Sequence, residues 1–355
     1  MIAHSNLPRY RENLFLSFRS SPFGSGSHTL ADQNSFNLHF RGVPVYRSTG
    51  YYLNFSDAHN LLSYRHTRAH NTILVDGIGQ PFSTKGYGKV VRMLNGENIS
   101  YCLGDASNAY SGISEYPMWI KNFKAAQIEQ STQNGFGETP LKTYRRHLFL
   151  LHPDIVVIYD ELEADKPVRW DWLLHSPVQF GIDEKKRLLT TVYPEKKFAA
   201  VAQIFSNSDC SITQTDQFVS PPDPKKMRKG RSYPNQWHMT ASFSKSSANR
   251  ILTVIRIRPD GKPLKELIRK KNNFRVGHWE INAELDAGNP AEIFIRNSKN
   301  GAVFSFGNRA LNIAGTDYQR EKGTSVLYDV MDGDWTIHEM SDIEPLPTGA
   351  IPSKN

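Results

Sequence analysis

Short apolar runs follow one another along the chain, and almost none is spaced like the buried face of a helix. "NLFLSFRS", "SFNLHF", "NTILVDG", "RRHLFLLH", "DIVVIYDEL", "RWDWLLHS" and "RILTVIRIRP" are typical of them. Val, Ile, Phe and Tyr at this density fit a pleated strand better than a helix. Turn chemistry separates the runs at Asp76-Gly77, Asn95-Gly96, His152-Pro153-Asp154 and Asp260-Gly261. Many strands joined by short turns bury their apolar faces against one another. The expected fold is therefore all-β, a large antiparallel β-sandwich of several sheets. Only "KPLKELIRKKNN", residues 262–273, reads as a helix, and a short one.

The main sandwich is expected in residues 1–215. Residues 216–355 then form a second β-sheet region packed on it or extending it, including a Pro/Lys-rich loop at 220–235. A chain of 355 residues with 39% hydrophobic and 22% charged residues can bury a large core. No stretch approaches 18 apolar residues, so no membrane span is expected. The opening "MIAHSNLPRYRENLFLSF" lacks a charged-then-apolar leader and a cleavage signature. No signal peptide is expected in this chain, which leaves a cytosolic protein or a fragment as the two readings. Cys102 and Cys210 lie far apart in strand-like contexts and read as buried free thiols rather than a disulfide.

A net charge of +8 favours anionic partners, or is simply a solvated basic surface. The densest basic run, "PPDPKKMRKGRSYPNQWH", sits between prolines as an exposed loop. It lacks the repeated basic–aromatic interleaving of a single-strand binder, so no nucleic acid is expected as a partner.

Six of the twelve histidines precede residue 71, namely His4, His28, His39, His59, His66 and His70. His66 and His70 have i,i+4 spacing, but the segment runs into a strand, and Asp32 and Asp57 are the only acids nearby. Zinc sites usually need three or four convergent ligands, often with a carboxylate, and a lone histidine is more often structural than catalytic. Histidine titrates near neutrality and suits acid–base work, while arginine can grip both oxygens of a carboxylate. His28, His59, Tyr64, Arg65, His70 and Asn71 can together line one wall of a cleft. For each, the plainer role is a hydrogen-bonded loop residue holding strands in place, and that role suits Asp32, Gln33 and Asn71 best.

Three segments in order, "GSGSHTLADQNSF", "RHTRAHNTILVDGIGQ" and "RRHLFLLHPDIVVIYDELEADKPVRWDWLLHSP", resemble the C-terminal β-sandwich of heparinase II/III-type polysaccharide lyases. "DQFVSPPDP" and "YPNQWHMTAS" resemble the branch holding exolytic alginate and heparin/heparan lyases, and the likeness thins beyond about Ser244. Many family members have Ser-His-x-His-Ala-Asp-Gln where this chain has Ser27 to Gln33. The resemblance implies that His28 lines the catalytic cleft. The second histidine, a zinc ligand in zinc-containing members, is Leu30 here. A following Asp-x-Gly ligand motif matches Ser48-Thr49-Gly50, and only His70 of the third ligand position survives. The metal site is accordingly expected to be lost, and no cofactor is expected.

By the same resemblance the catalytic candidates are His28 and Tyr64, and the substrate-binding candidates are His59, Arg65, His70, Asn71 and Gln33. The family carries an N-terminal α/α toroid that supplies a tyrosine acid/base, and nothing in this chain reads as repeated helical hairpins. The expectation is a sandwich portion whose partners are the parent's toroid domain and an acidic polysaccharide or oligosaccharide cleaved by β-elimination. Alginate and glycosaminoglycans both fit, and the resemblance implies a periplasmic or secreted parent. The alternative is a non-catalytic carbohydrate-binding or structural β-sandwich that kept the fold and lost the site.

Overall fold

The computed structural model describes residues 1–307, 310–313, 315–318 and 323–343. Three antiparallel sheets stack as layers. The first has four strands in sequential order, β1 (Ile2–His4), β2 (Leu14–Arg19), β3 (Ser35–Phe40) and β4 (Val43–Tyr46). The middle sheet has ten strands: β5 (Ile73–Val75), β6 (Lys89–Asn95), β7 (Ile99–Asp105), β8 (Leu141–Leu151), β9 (Ile155–Ser176), β10 (Gly181–Asp183), β11 (Leu188–Tyr193), β12 (Phe198–Phe205), β13 (Cys210–Thr215) and β14 (Trp237–Pro259). Its path runs β10-β11-β12-β14-β9-β8-β7-β6, with β13 added on β14 and β5 on β9.

The third sheet has seven strands, β15 (Leu267–Lys270), β16 (Asn273–Val276), β17 (Trp279–Ala283), β18 (Ile293–Asn297), β19 (Val303–Gly307), β22 (Thr324–Met331) and β23 (Asp334–Met340). A small hairpin, β20 (Leu311–Ile313) with β21 (Thr316–Tyr318), interrupts it between β19 and β22.

The middle sheet is dry on both faces, which explains its near-continuous apolar runs. Successive side chains of a strand point to opposite faces. Leu148, Leu150, Val156 and Ile158 accordingly join the core shared with the first sheet through Leu16, Phe36 and Leu38. Their neighbours Phe149, Leu151, Val157 and Tyr159 join the core shared with Phe274, Ile281 and Phe304 of the third sheet. The spine of the stack is the long pairing of β9 with β14, from Trp237 opposite Ser176 to Arg256 opposite Ile155.

That pairing carries the middle sheet across residue 215, where the second region was expected to begin. After the 220–235 loop the chain returns to the middle sheet as β14, and the third sheet begins only at Leu267. The expected helix at 262–273 is corrected. Leu267–Lys270 and Asn273–Val276 form a hairpin whose turn places Lys271 at φ 56. Burial of Phe274 and Val276 against β17 outweighs a modest helix propensity.

Among the described residues the only α-helix is α1 (Pro117–Ala125), so nothing there resembles a helical toroid. Proline occupies its first turn, where a missing N–H costs nothing. Trp119 and Phe123, one turn apart, are buried against Phe82 and Phe136. No helix among the described residues is long and apolar enough to cross a membrane. Cys102 is buried and Cys210 half-buried, and both are free thiols. Burial pushes the Cys102 thiol up to about 12, which makes it inert at neutral pH.

Candidate functional site

The segment carrying His28 is fastened at its base and free at its tip. Gly24 has φ +57 and lies so close to the Ser83 carbonyl that a Cβ would stand 2.3 Å from it. Ser25 donates its N–H to Ser83 O at 2.9 Å and its hydroxyl to Pro81 O at 2.6 Å. Beyond this anchor the chain turns outward through Ser27, also at positive φ, and His28 is exposed. The imidazole packs 4.8 Å from the Phe55 ring and 6.3 Å from Tyr52.

Tyr64 ends a π-helical turn over Asn60–Tyr64, closed by the Arg65 N–H on the Asn60 carbonyl at 2.9 Å. The Asp57 carboxylate starts that turn by accepting the N–H groups of His59 at 2.9 Å and Asn60 at 3.3 Å. Gly50 passes the turn so closely that a Cβ would stand 2.4 Å from Ser63 O. Tyr64 reaches the surface half-buried, its ring 6.3 Å from Tyr52. Burial raises its phenol pKa, with Arg65 opposing and Asp32 and Tyr52 adding, so Tyr64 carries its proton at neutral pH. His28, Tyr52 and Tyr64 thus form one shelf, with the two candidate catalytic side chains on either side of an exposed tyrosine.

Arg65 lies beneath this shelf rather than on it. Its side chain is buried with the guanidinium carbon 4.4 Å above the Trp119 ring, and it donates to the Thr29 carbonyl. Burial lowers its pKa to about 10, which still leaves it charged. It therefore supports the His28 loop and lends positive potential from below, without offering a free fork to a carboxylate.

The other sequence candidates are used inside the protein. Asn71 donates to Phe36 O at 2.9 Å, and its Oδ1 accepts the His175 N–H at 2.8 Å. Gln33 is buried and accepts the Ser21 N–H at 2.7 Å. His59 is buried, with Nε2 accepting the Tyr51 N–H at 3.0 Å. The proton consequently sits on Nδ1, which donates to Ser220 O at 2.6 Å. Burial lowers the pKa of His59 and keeps this neutral tautomer. These three buried side chains hold backbone in place, and of their polar atoms the Gln33 Nε2 is buried without a partner.

His70 tests the metal directly. Its Nδ1 lies 2.8 Å from Ser48 Oγ and its Nε2 3.4 Å from Arg65 O, so both nitrogens face protein oxygens. Ser48, which the sequence resemblance sets at a ligand position of zinc-containing members, has its hydroxyl in a hydrogen bond with the histidine. Leu30 contributes no ligand. Among the described residues no group of three His, Cys, Asp or Glu side chains can hold a metal ion. The residues do not fit zinc. Elemental analysis of the purified chain is expected to find no stoichiometric zinc, and one zinc per chain lost on His70→Ala would overturn that.

Sequence reasoning marked the 220–235 segment as a loop but missed where it goes. It folds back across residues 50–63. Ser220 donates its N–H to Ser63 Oγ at 2.8 Å, Tyr51 donates its hydroxyl to Pro234 O at 2.6 Å, and Gln236 Oε1 accepts the Gly50 N–H at 2.7 Å. Lys226 pairs with Asp57 at 3.0 Å. The result is a cleft of about 320 Å³ lined by Tyr51, Tyr52, Leu53, Lys226, Arg228, Arg231 and Tyr233. Tyr52 belongs to both the cleft and the shelf. The signal that could have found it is the tyrosine pair Tyr51-Tyr52 immediately after Gly50.

Comparisons with known proteins bear on the family and the fold. The family model described as heparinase II/III-like, C-terminal, matches residues 2–253. Heparinase III, the BT4657 gene product, superposes with a TM-score of 0.57 at 12% identity, over 86% of this chain and 40% of that one. A mutant of heparan sulfate lyase HepC from Pedobacter heparinus gives 0.56 at 12% identity, with the same coverage of 86% and 40%. A further heparinase III structure gives 0.53 at 14% identity. At such identities these likenesses concern the fold, and the chain spans about 40% of the length of the lyases it matches. No curated protein matches it. A family-model match over residues 2–253, most of the chain, makes this protein a member of the heparinase II/III-like C-terminal family.

Proposed function

We propose that this chain is the sandwich portion of a polysaccharide lyase that cleaves an acidic, uronate-containing polysaccharide by β-elimination. The observation that carries the reading is the shelf itself, where an exposed imidazole and a protonated phenol flank the open face of Tyr52. In the proposed step His28 takes the proton from C5 of the uronate, the C4–O4 bond breaks, and the C4–C5 double bond forms. Tyr64 gives its phenolic proton to the departing O4, the phenolate later regaining one from solvent, and Tyr52 packs against the sugar ring. Such acid–base assistance contributes roughly a hundredfold or more per group.

Neutralising the uronate carboxylate needs a donor that this wall does not present, because Arg65 is committed to Thr29 O and Trp119. That donor is proposed to come from a helical domain of a longer parent. The isolated chain is therefore expected to produce little or no unsaturated uronate, followed by its ultraviolet absorbance. Joined to that domain it should turn over, and His28→Ala should lower the rate by about a hundredfold. Robust turnover by the isolated chain would show that the whole site lies on the sandwich. An unaffected His28→Ala variant in the joined protein would remove His28 from the reaction.

The internal use of Arg65, His59, His70 and Asn71 favours a second reading, a sandwich that binds acidic saccharide without cleaving it. The joined protein distinguishes the two, since this reading gives binding with no elimination.

A further inference from the structure

The shelf accounts for His28, Tyr52 and Tyr64 but leaves the loop beside it without a role. That loop carries Lys225, Lys226, Arg228, Lys229 and Arg231 with Asp223 as its only acid. The three cations lining the cleft are not equivalent. Lys226 is neutralised by Asp57 at 3.0 Å, with Asp223 at 3.9 Å, and serves to fasten the loop. Arg228 and Arg231 are exposed, and among the described residues neither side chain has an ion pair or hydrogen bond. Two unpaired guanidinium groups therefore face a cleft whose remaining lining is tyrosine and leucine.

The position of these groups is set by the fold. Ser220 at one end of the loop is held by His59 and Ser63, and Pro234 and Gln236 at the other by Tyr51 and Gly50. Inside the loop, the Arg228 N–H donates to the Tyr233 hydroxyl at 3.2 Å and the Arg231 N–H to Arg228 O at 3.2 Å. The Tyr233 ring stands edge-on to Tyr51 with centroids 5.0 Å apart. Anchoring of this kind lowers the entropy lost on ligand binding. Guanidinium is suited to bidentate contact with carboxylate or sulfate oxygens, and a tyrosine face suits the C–H face of a sugar.

We propose that this cleft is a separate anion-recognition subsite, where Arg228 and Arg231 bind an acidic group of a saccharide unit lying beyond the shelf. Tyr52, common to both, sets the path of the chain between them. The assignment rests on the lyase reading only for the choice of a saccharide as ligand. The shared chemistry is an anionic group on a sugar ring, either a uronate carboxylate or a sulfate ester.

The test is calorimetric titration of the full chain with two probes, an oligosaccharide derived from heparan sulfate and an alginate oligosaccharide of equal length. Arg228→Ala/Arg231→Ala is expected to weaken binding about tenfold or more, by loss of two charge-assisted contacts. Lys262→Ala/Lys270→Ala, which removes the same charge from a remote surface, should leave affinity within about twofold. Preference for the first probe would assign the anion as sulfate, and equal binding as carboxylate. Circular dichroism and urea midpoints should be unchanged in the arginine variant, since neither side chain bonds to the protein.

The inference is overturned if the arginine variant binds like the parent, or if the remote lysine variant loses as much. It is also overturned if single-stranded DNA of matched charge competes equally well, or if the chain binds neither probe. A failure of the lyase reading looks different. Binding would still depend on Arg228 and Arg231 while the joined protein eliminated nothing.

Discussion

Replacing Arg146 with methionine is expected to remove about 3–5 kcal/mol of stability, enough to leave the chain marginal or unfolded. Arg146 is fully buried on β8. Its Nε and Nη2 grip the two oxygens of Asp160 at 2.7 and 3.0 Å, and its Nη1 donates to Asn34 O and Asn71 O, both at 2.8 Å. One side chain thus ties the middle sheet to the two segments that lead into the shelf. Without it Asp160 remains a buried charge whose remaining donor is the Trp172 indole, at 3.0 Å. Exchanging both partners for neutral groups should be milder, because no charge is left unpaired. Urea denaturation of Arg146→Met, Asp160→Asn and the double variant measures the coupling. A single-variant loss below about 1 kcal/mol, the scale of an exposed ion pair, would show that the pair is not buried as described.

Acidification is expected to destabilise the protein steeply between about pH 6.5 and pH 4. Burial lowers the pKa of His59, His66, His70, His175 and His238. Each folded value lies below the unfolded value near 6.5, so under acid the unfolded chain takes up protons that the folded chain refuses. Their stabilising effect is therefore full above about pH 6.5 and is lost as pH falls toward the folded values. His238, pulled down to about 4, alone accounts for about 3 kcal/mol by pH 4. His175 stands only 5.1 Å from it, so protonating one disfavours protonating the other. Urea midpoints measured from pH 7.5 downward should fall monotonically, and a flat or rising profile to pH 5 would contradict the buried neutral state of these rings.

The β9 and β14 runs were readable because burial on both faces writes an almost unbroken apolar string, whichever strands lie alongside. The hairpin at 267–276 was not, because its charged first strand gains its place only by pairing with Phe274 and Val276. Helix α1 was missed for a related reason. Its buried Trp119 and Phe123 are accompanied by an exposed Ile120, which blurs the apolar face, and they meet partners at Phe82 and Phe136 that no local pattern indicates. In the site, the motifs contain His28 but not Tyr52, and they do not indicate which neighbour faces outward. Tyr64 and Arg65 are adjacent in sequence, yet one reaches the surface and the other lies under the shelf. The docked loop was least legible, since its Ser220–Ser63 contact joins residues 157 positions apart.

The π-helical turn at Asn60–Tyr64 gives the direction of Tyr64 an unusual dependence. Such a turn holds one residue more than an α-helical turn between the same hydrogen-bonded ends. Removing any one residue from it would swing the side chains at its C-terminal end by about 100°, the angular step of one residue in an α-helix. The phenol would then leave the shelf although its own codon and every contacting side chain were untouched. Within this fold, insertion and deletion are therefore a more abrupt route to losing or regaining the site than substitution, and the length of this segment is as much a part of the site as the tyrosine that ends it.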